Sequence, residues 1–417
     1  MPSRPTLLRQ APPILGLLDI GTSKTACVIL AASGRGEAEV LGVGQQPSRG
    51  LKAGVVIELD AAEQSVRAAV SEAERAAGRE LGQVLLAVAC GRLKSTTFSA
   101  DARIGGRAVA HADVERLMTA GRSYVERDGR MLLHMNCLGY RLDGAAGIAE
   151  PRGLAGRVLS ADLHAVAADA APLRNLVHAA ERAYLSVTGL LPAPYTSGLA
   201  VTTAQERRAG VIALDFGAGT TALSVFAEGH LIANEVIPSG GNHITFDVAR
   251  NLQVPLAQAE RIKTIYGHVS AAAADAEPTL PLRLETTPEA GLDRASRDQL
   301  ADVIRHRVSG LMDQIAERLE RLNVAETETA GVVITGGAGQ LPGLREFAAE
   351  ALHRPVRIGQ PAAINGLPAA AATGALASVL GLAEVAFDWT IGVRRRERNF
   401  RAGGYLSSVG RWLQASF

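Results

Sequence analysis

The chain has 417 residues, 47% of them apolar, and its 43 Lys and Arg against 42 Asp and Glu leave a formal charge of +1. This length supports a large core in two or more lobes, and the charge balance gives no electrostatic basis for binding nucleic acid. Three cysteines, at positions 27, 90 and 137, suit neither a disulfide framework nor a metal site, which points to a reducing cytoplasm.

Residues 1–13, MPSRPTLLRQAPP, are basic and lack the apolar core of a signal peptide, so they read as a disordered tail. Two apolar runs, ILGL and CVIL, then enclose LDIGTSKTA at 18–26. This is a hairpin pattern whose tip carries Asp19, Gly21, Thr22, Ser23 and Lys24. A strand, EVLGVGQQ, and a helix over about 61–78 follow. From Gln83 the pattern becomes β-rich: VLLAVAC, STTFSADARI and MLLHMNCLGYRL read as strands around a helix, HADVERLMTAGRSYV, with Val114, Leu117 and Met118 on one face. Residues 83–162 therefore form a piece set into the first lobe. His134 and His164, without partners at metal spacing, read as hydrogen-bonded structural groups. A strand, HAVAAD, and a helix burying Leu173, Leu176, Val177 and Ala180 return the chain to that lobe.

The stretch 211–226, VIALDFGAGTTALSVF, is a second hairpin, with Asp215, Gly217, Ala218, Gly219, Thr220 and Thr221 at its tip. LDFGAGTTA repeats Leu, Asp, Gly, Thr and Ala of LDIGTSKTA at the same offsets. One glycine-rich tip alone is equally a tight turn; two of them suggest half-domains offering a hairpin each to a shared anion, whose oxygens glycine lets the backbone N–H groups approach. Asp19 and Asp215, at the strand ends, suit a hydrated Mg²⁺ held through its waters, and Lys24 is a point charge for a phosphate. Helical patterns at 244–252 and 258–266 precede a loop at 270–281 and a strongly periodic helix at 299–322. A third glycine cluster, VVITGGAGQLPGL at 332–344, runs from a strand through Gly336, Gly337 and Gly339 into a helix, leaving room for a flat group against the backbone. The alanine-rich stretch 369–387 contains Thr373, Ser378 and Glu384, and reads as core helix rather than membrane span. After the polar linker RRRERNFR and its glycines comes YLSSVGRWLQASF. On a helix it places Tyr405, Leu406, Val409, Trp412, Leu413 and Phe417 on one face, and beside the arginines this suits a membrane interface.

The three glycine stretches, in this order, resemble the phosphate-1, phosphate-2 and adenosine motifs of the actin, sugar-kinase and heat-shock ATPase superfamily. With HMNCLGYRLDGAAGIAEPRGLAGRVL (134–159), IPSGGNHITFDVARNL (237–252) and QAERIKTIYG (258–267), the chain resembles the FtsA family of actin-like division proteins over nearly its whole length. The resemblance implies an α/β, actin-like two-lobe fold of duplicated ribonuclease-H-like domains. Subdomain 1A would span 14–82 and 163–194, the inserted 1C 83–162, 2A 195–244 and 331–387 with a return to 1A, and 2B 245–330. A linker over 388–404 and an amphipathic membrane-targeting helix over 405–417 would complete it.

The resemblance further implies ATP and Mg²⁺ between the lobes, with Glu260 and Lys263 reaching the ribose or adenine; from spacing alone these are two charges one turn apart on a helix. It implies self-association into filaments, the FtsZ C-terminal tail bound by 2B, later division proteins such as FtsN at 1C, and inner-membrane lipid as partners. The expected location is the cytoplasmic face of the inner membrane at the division site. Hydrolytic superfamily members often keep Glu before Pro in the connection read here as LLPAPYTSGLA; Ala193 precedes Pro194, so at most a weak ATPase is expected. The competing readings are a PilM-like pilus adaptor, an MreB-like filament and a sugar or acetate kinase. The last lacks a convincing catalytic Asp, and MreB-like chains usually lack the insert and such a tail.

Overall fold

The two Asp-bearing hairpins lie at the centres of two five-stranded sheets of the same build. The computed structural model describes residues 14–32, 38–126, 129–270, 296–324 and 331–386. The expected tail 1–13, linker 388–404, helix 405–417 and nearly all of the loop 270–281 lie outside the described residues. β1 (Ile14–Ile20) turns into β2 (Lys24–Ala32), which pairs with β3 (Ala38–Pro47). A short ribbon, β4 (Leu51–Lys52) and β5 (Val55–Val56), leads to α1 (Leu59–Ala77), which left-handed Gly78 ends, and β6 (Gln83–Val88) lies parallel to β1. The chain then departs through β7 (Lys94–Arg103), α2 (His111–Val125), β8 (Arg130–Leu142), β9 (Ala145–Ile148) and β10 (Val158–Asp169), a sheet of order β7-β10-β8-β9. It returns by α3 (Ala170–Arg182) to β11 (Ser186–Pro192), and the first sheet reads β11-β6-β1-β2-β3.

Helices α4 (Ala193–Val201) and α5 (Ala204–Ala209) cross to the third sheet. There β12 (Val211–Phe216), β13 (Thr221–Ala227) and β14 (His230–Ile237) repeat the antiparallel meander of β1 to β3. Helices α6 (Gly241–Leu252), α7 (Leu256–Tyr266) and α8 (Arg297–Arg321) intervene before β15 (Gly331–Thr335), α9 (Leu344–Leu352) and β16 (Val356–Ile358). The resulting order β14-β13-β12-β15-β16 matches the first sheet strand for strand. The match extends to register: Asp19 lies beside Ala26 and Ala87, Asp215 beside Ala222 and Thr335. Both sheets are covered on both faces, which is why their central strands read as continuous apolar runs. Leu18 and Ile20 of β1 face one core and Leu15 and Leu17 another.

Two expected limits move. The strand at Gln83 belongs to the first sheet, hydrogen-bonded in parallel to β1 and β11, and the separate sheet begins at Lys94. HAVAAD is not a return strand but the end of β10, paired with β7 and β8 as far as Asp169. The physical reason is that β10 serves two cores: Leu159, Ala161, Leu163 and Ala165 pack inside the insert, whereas Val166 and Ala168 pack into the first lobe.

The insert is held at its root and at one flank. At the root the Asp169 N–H donates to the Gly91 carbonyl at 2.7 Å, and the Asp169 carboxylate pairs with Arg92 and Arg130. At the flank the Asn234 N–H of β14 donates to Ser95 Oγ at 3.1 Å, and Ser95 in turn bonds His164. His134 lies against the Tyr195 ring at 4.4 Å. Both histidines hydrogen-bond Asn136, and burial pushes them down, to about 4 for His134 and about 3 for His164. They are structural groups of a buried seam.

The alanine-rich stretch is helical over 377–386, with Val379, Leu380 and Leu382 packed against the first sheet. Among the described residues no helix is long and apolar enough to cross a membrane. This last helix meets α4 so closely that a Cβ on Gly381 would lie 1.7 Å from the Thr196 carbonyl oxygen. Gly381→Ala must therefore push the two helices apart, with an expected loss of about 1–3 kcal/mol in denaturant unfolding. Gly310→Ala, on α8 with open space around its Cα, should be neutral or stabilise by up to ~1 kcal/mol in the same measurement.

Candidate functional site

The hairpin tips of the first and third sheets face each other across a cleft of about 520 Å³. The first tip contributes Asp19, Gly21, Thr22, Ser23 and Lys24, the second Asp215, Gly217, Ala218, Gly219 and Thr220. Their approach is close: a Cβ on Gly219 would lie 2.5 Å from Thr22 Oγ1. Of the remaining expected residues, Glu260, Lys263 and Gly337 line the cleft. Thr221, Gly336 and Gly339 do not, and act from behind it. Thr221 is buried and donates to the Ser239 carbonyl at 2.8 Å. Gly336 has φ of 91°, and a Cβ there would lie 2.3 Å from Asp215 Oδ1. Only glycine lets that turn pass the carboxylate. Gly339 is buried against Ile334 and Phe216.

Burial dominates the electrostatics of the cleft floor. It pushes Asp19 up to about 6, against the pull of Lys24, with Asp215 adding to the rise and a hydrogen bond from Ser378 opposing it. Asp215 is likewise pushed up to about 6 by burial, opposed by a hydrogen bond from Ser197 and by Lys24. Burial lowers Lys24, and the two carboxylates resist that shift. Each carboxylate thus takes a serine from a different helix, Ser197 on α4 and Ser378 on the helix that meets it. Among the described residues, no protein group accepts a hydrogen bond from the N–H of Thr22, Ser23, Ala218 or Gly219. Two half-buried carboxylates, one ammonium and free amide donors form a set that fits a phosphate chain and a hydrated divalent cation.

The first turn of α6 also lines the cleft, at Gly241, Asn242 and Ile244, and so do Thr264, Gln340, Leu341, Pro342 and Ser378. None of these was among the expected site residues. A signal was present in the Gly240–Gly241 pair ahead of a helical pattern: a Cβ on Gly240 would lie 2.5 Å from the Gly217 carbonyl oxygen. Ala193, at the start of α4, presents only a methyl group to the cleft.

The family model for cell division protein FtsA matches residues 212–381, and that for the SHS2 domain inserted in FtsA matches 90–167. The second span agrees with the insert's limits as the sheets define them. The chain is 36% identical to cell division protein FtsA of Agrobacterium fabrum, over 97% of this chain and 95% of the relative. It is 31% identical to that of Escherichia coli K12, over 96% and 97% respectively. Among solved structures, a PilM–PilN type IV pilus biogenesis complex aligns with a TM-score of 0.64 at 18% identity, covering 89% of this chain and 98% of the other. MreB5 of Spiroplasma citri bound to AMPPNP aligns at 0.52 with 14% identity, covering 94% and 100%. These likenesses give the fold, actin-like, and the relatives give the lineage: the chain belongs to the FtsA family of cell division proteins.

Proposed function

We propose that the cleft binds ATP with Mg²⁺, and that the protein, assembled with copies of itself, tethers the FtsZ ring to the inner membrane and recruits later division proteins such as FtsN. The observation that carries the nucleotide reading is the pair of half-buried carboxylates, one from each duplicated hairpin, sharing the cleft floor with Lys24. Mg²⁺ would neutralise phosphate charge between the two lobes. Asp19 and Asp215 would hold it through its waters, and Lys24 with the amides of Thr22, Ser23, Ala218 and Gly219 would take phosphate oxygens. Glu260 and the turn at Gly337 bound the nucleoside end. With Ala193 where a water-positioning side chain is expected, the nucleotide serves as a clamp between lobes more than as fuel. FtsZ binding is assigned to the helical region α6–α8 by the family resemblance. The membrane role rests on residues 405–417, whose apolar face would make a weak single anchor that a filament multiplies.

The two raised carboxylates carry an electrostatic cost that a bound cation would relieve. An acid whose folded pKa is raised from 3.8 to about 6 loses stability as pH climbs between those values, and the loss is complete above the upper one. Asp215→Asn should therefore raise the melting temperature of the nucleotide- and metal-free protein at pH 7.5, and the gain should vanish near pH 4. The same variant should lose at least about tenfold in Mg·ATP affinity by calorimetry, the scale of a lost charged contact. Unchanged affinity would show that the nucleotide lies elsewhere. For the membrane role, the full chain should sediment with anionic liposomes, and more strongly with ATP. Trp412→Glu, or truncation after Arg401, should release it while sparing nucleotide binding; equal sedimentation of the truncated chain would place the anchor elsewhere.

A further inference from the structure

Lys263 lines the cleft, but its ammonium is fully engaged by the protein. An ammonium has three N–H donors. Here they meet the Gly241 carbonyl at 3.2 Å, Thr245 Oγ1 at 2.9 Å and Glu260 Oε2 at 2.7 Å. Thr245 Oγ1 accepts from Lys263 and donates to the same Glu260 oxygen at 2.5 Å, closing the cluster. The side chain is only 13% exposed, against 51% for Glu260. It joins α7, where it sits, to the first turn of α6.

That first turn is in turn fastened to the second phosphate loop. The Gly241 N–H donates to the Gly217 carbonyl at 2.9 Å, and the Asn242 N–H to the Ala218 carbonyl at 2.8 Å. In a trans peptide the carbonyl and the following N–H point in opposite directions. Anchoring the Gly217 carbonyl on α6 therefore turns the Ala218 N–H away from the helix, and anchoring the Ala218 carbonyl does the same for the Gly219 N–H. Both residues line the cleft, and their amides are without a protein acceptor. Gly240 and Gly241 admit the approach, because side chains there would collide with the loop or with Ala338.

We infer that Lys263 is a positioning residue: by fixing the first turn of α6 it aims the Ala218 and Gly219 amides into the cleft. The consequence for ligand binding rests on the nucleotide reading above; the mechanical part does not. It also makes the route from α7 to the phosphate loop a chain of direct hydrogen bonds, so a displacement of α7 is felt at those two amides.

The test uses the full chain. In ligand-free protein, Lys263→Met should speed hydrogen exchange at the Gly241 and Asn242 amides about tenfold or more, with β12 and β15 as protected as before. In calorimetry it should weaken Mg·tripolyphosphate, which has neither ribose nor base, by about tenfold or more, and Mg·ATP by at least as much. Should Lys263→Met unfold α7, Lys263→Gln, which keeps a donor, serves for the same comparisons. Unchanged exchange at the two amides overturns the inference, as does an unchanged affinity for tripolyphosphate where the wild type binds it. If the wild type binds neither phosphate ligand while exchange still accelerates, the nucleotide reading fails and the strut stands.

Discussion

Two half-buried carboxylates of like charge, brought together on the floor of one cleft, are the constraint around which this molecule is built. Neither β1 nor β12 brings its partner near; Asp19 and Asp215 meet only because two separately folded sheets are pressed tip to tip. Burial and mutual repulsion raise Asp19, and the single ammonium of Lys24 offsets only part of that. The surroundings then read as devices for keeping the pair in place. Gly336 clears Asp215, Gly219 clears Thr22, and one serine from each of two touching helices steadies each carboxylate. A molecule selected for the stability of its empty state would not keep such a centre. Strain at a site, offset by the rest of the fold, is the ordinary mark of a place where something binds.

The lobes differ in how they support their hairpins. Both tips close on themselves, Gly21 N–H to the Lys24 carbonyl at 3.0 Å and Gly217 N–H to the Thr220 carbonyl at 2.9 Å, but the first is then tied to its own sheet, where the Ser23 carbonyl takes the Ser48 N–H at 3.0 Å. In the second, the tip is tied outward, to α6 and through Lys263 to α7. One hairpin tip is thus tied to its own sheet, while the other is tied to a helical region that reaches the surface, with Phe246, Leu256 and Ile265 exposed. That asymmetry is invisible in the matched strand orders; it arises from backbone hydrogen bonds outside the ladders, with the Lys263 side chain completing the tie to α7.

Much of this is legible in the amino-acid sequence. The hairpins showed themselves because a strand buried on both faces must be apolar throughout, and because LDIGTSKTA and LDFGAGTTA repeat the same residues at the same offsets. The insert's limits were not legible in the same way. VLLAV in β6 and HAVAAD in β10 have nearly the same apolar character, and which sheet each joins depends on partners distant in the chain. Gly240 and Gly241 look locally like any helix start; their necessity comes from the carbonyls of Gly217 and Ala218, which no local pattern announces. Lys263 was visible as a charge on a helix, but its three acceptors come from three different turns of two helices.

The root of the insert bears on how such a chain can be assembled at all. Gly91 and Asp169 lie in backbone hydrogen-bond contact at 2.7 Å, with Arg92 and Arg130 closing on the same carboxylate. For the host lobe, everything between those two residues is topologically no more than a turn. The entropy of closing a loop grows only with the logarithm of its length, so a long excursion that re-enters where it left adds little to the folding cost of its host. The excursion also has its own packed interior, built from α2 and the strands it covers. A unit that closes on itself in this way can be lengthened, shortened or exchanged over generations without disturbing the register of β6 beside β1, so its outer surface is free to diversify while the cleft stays as it is.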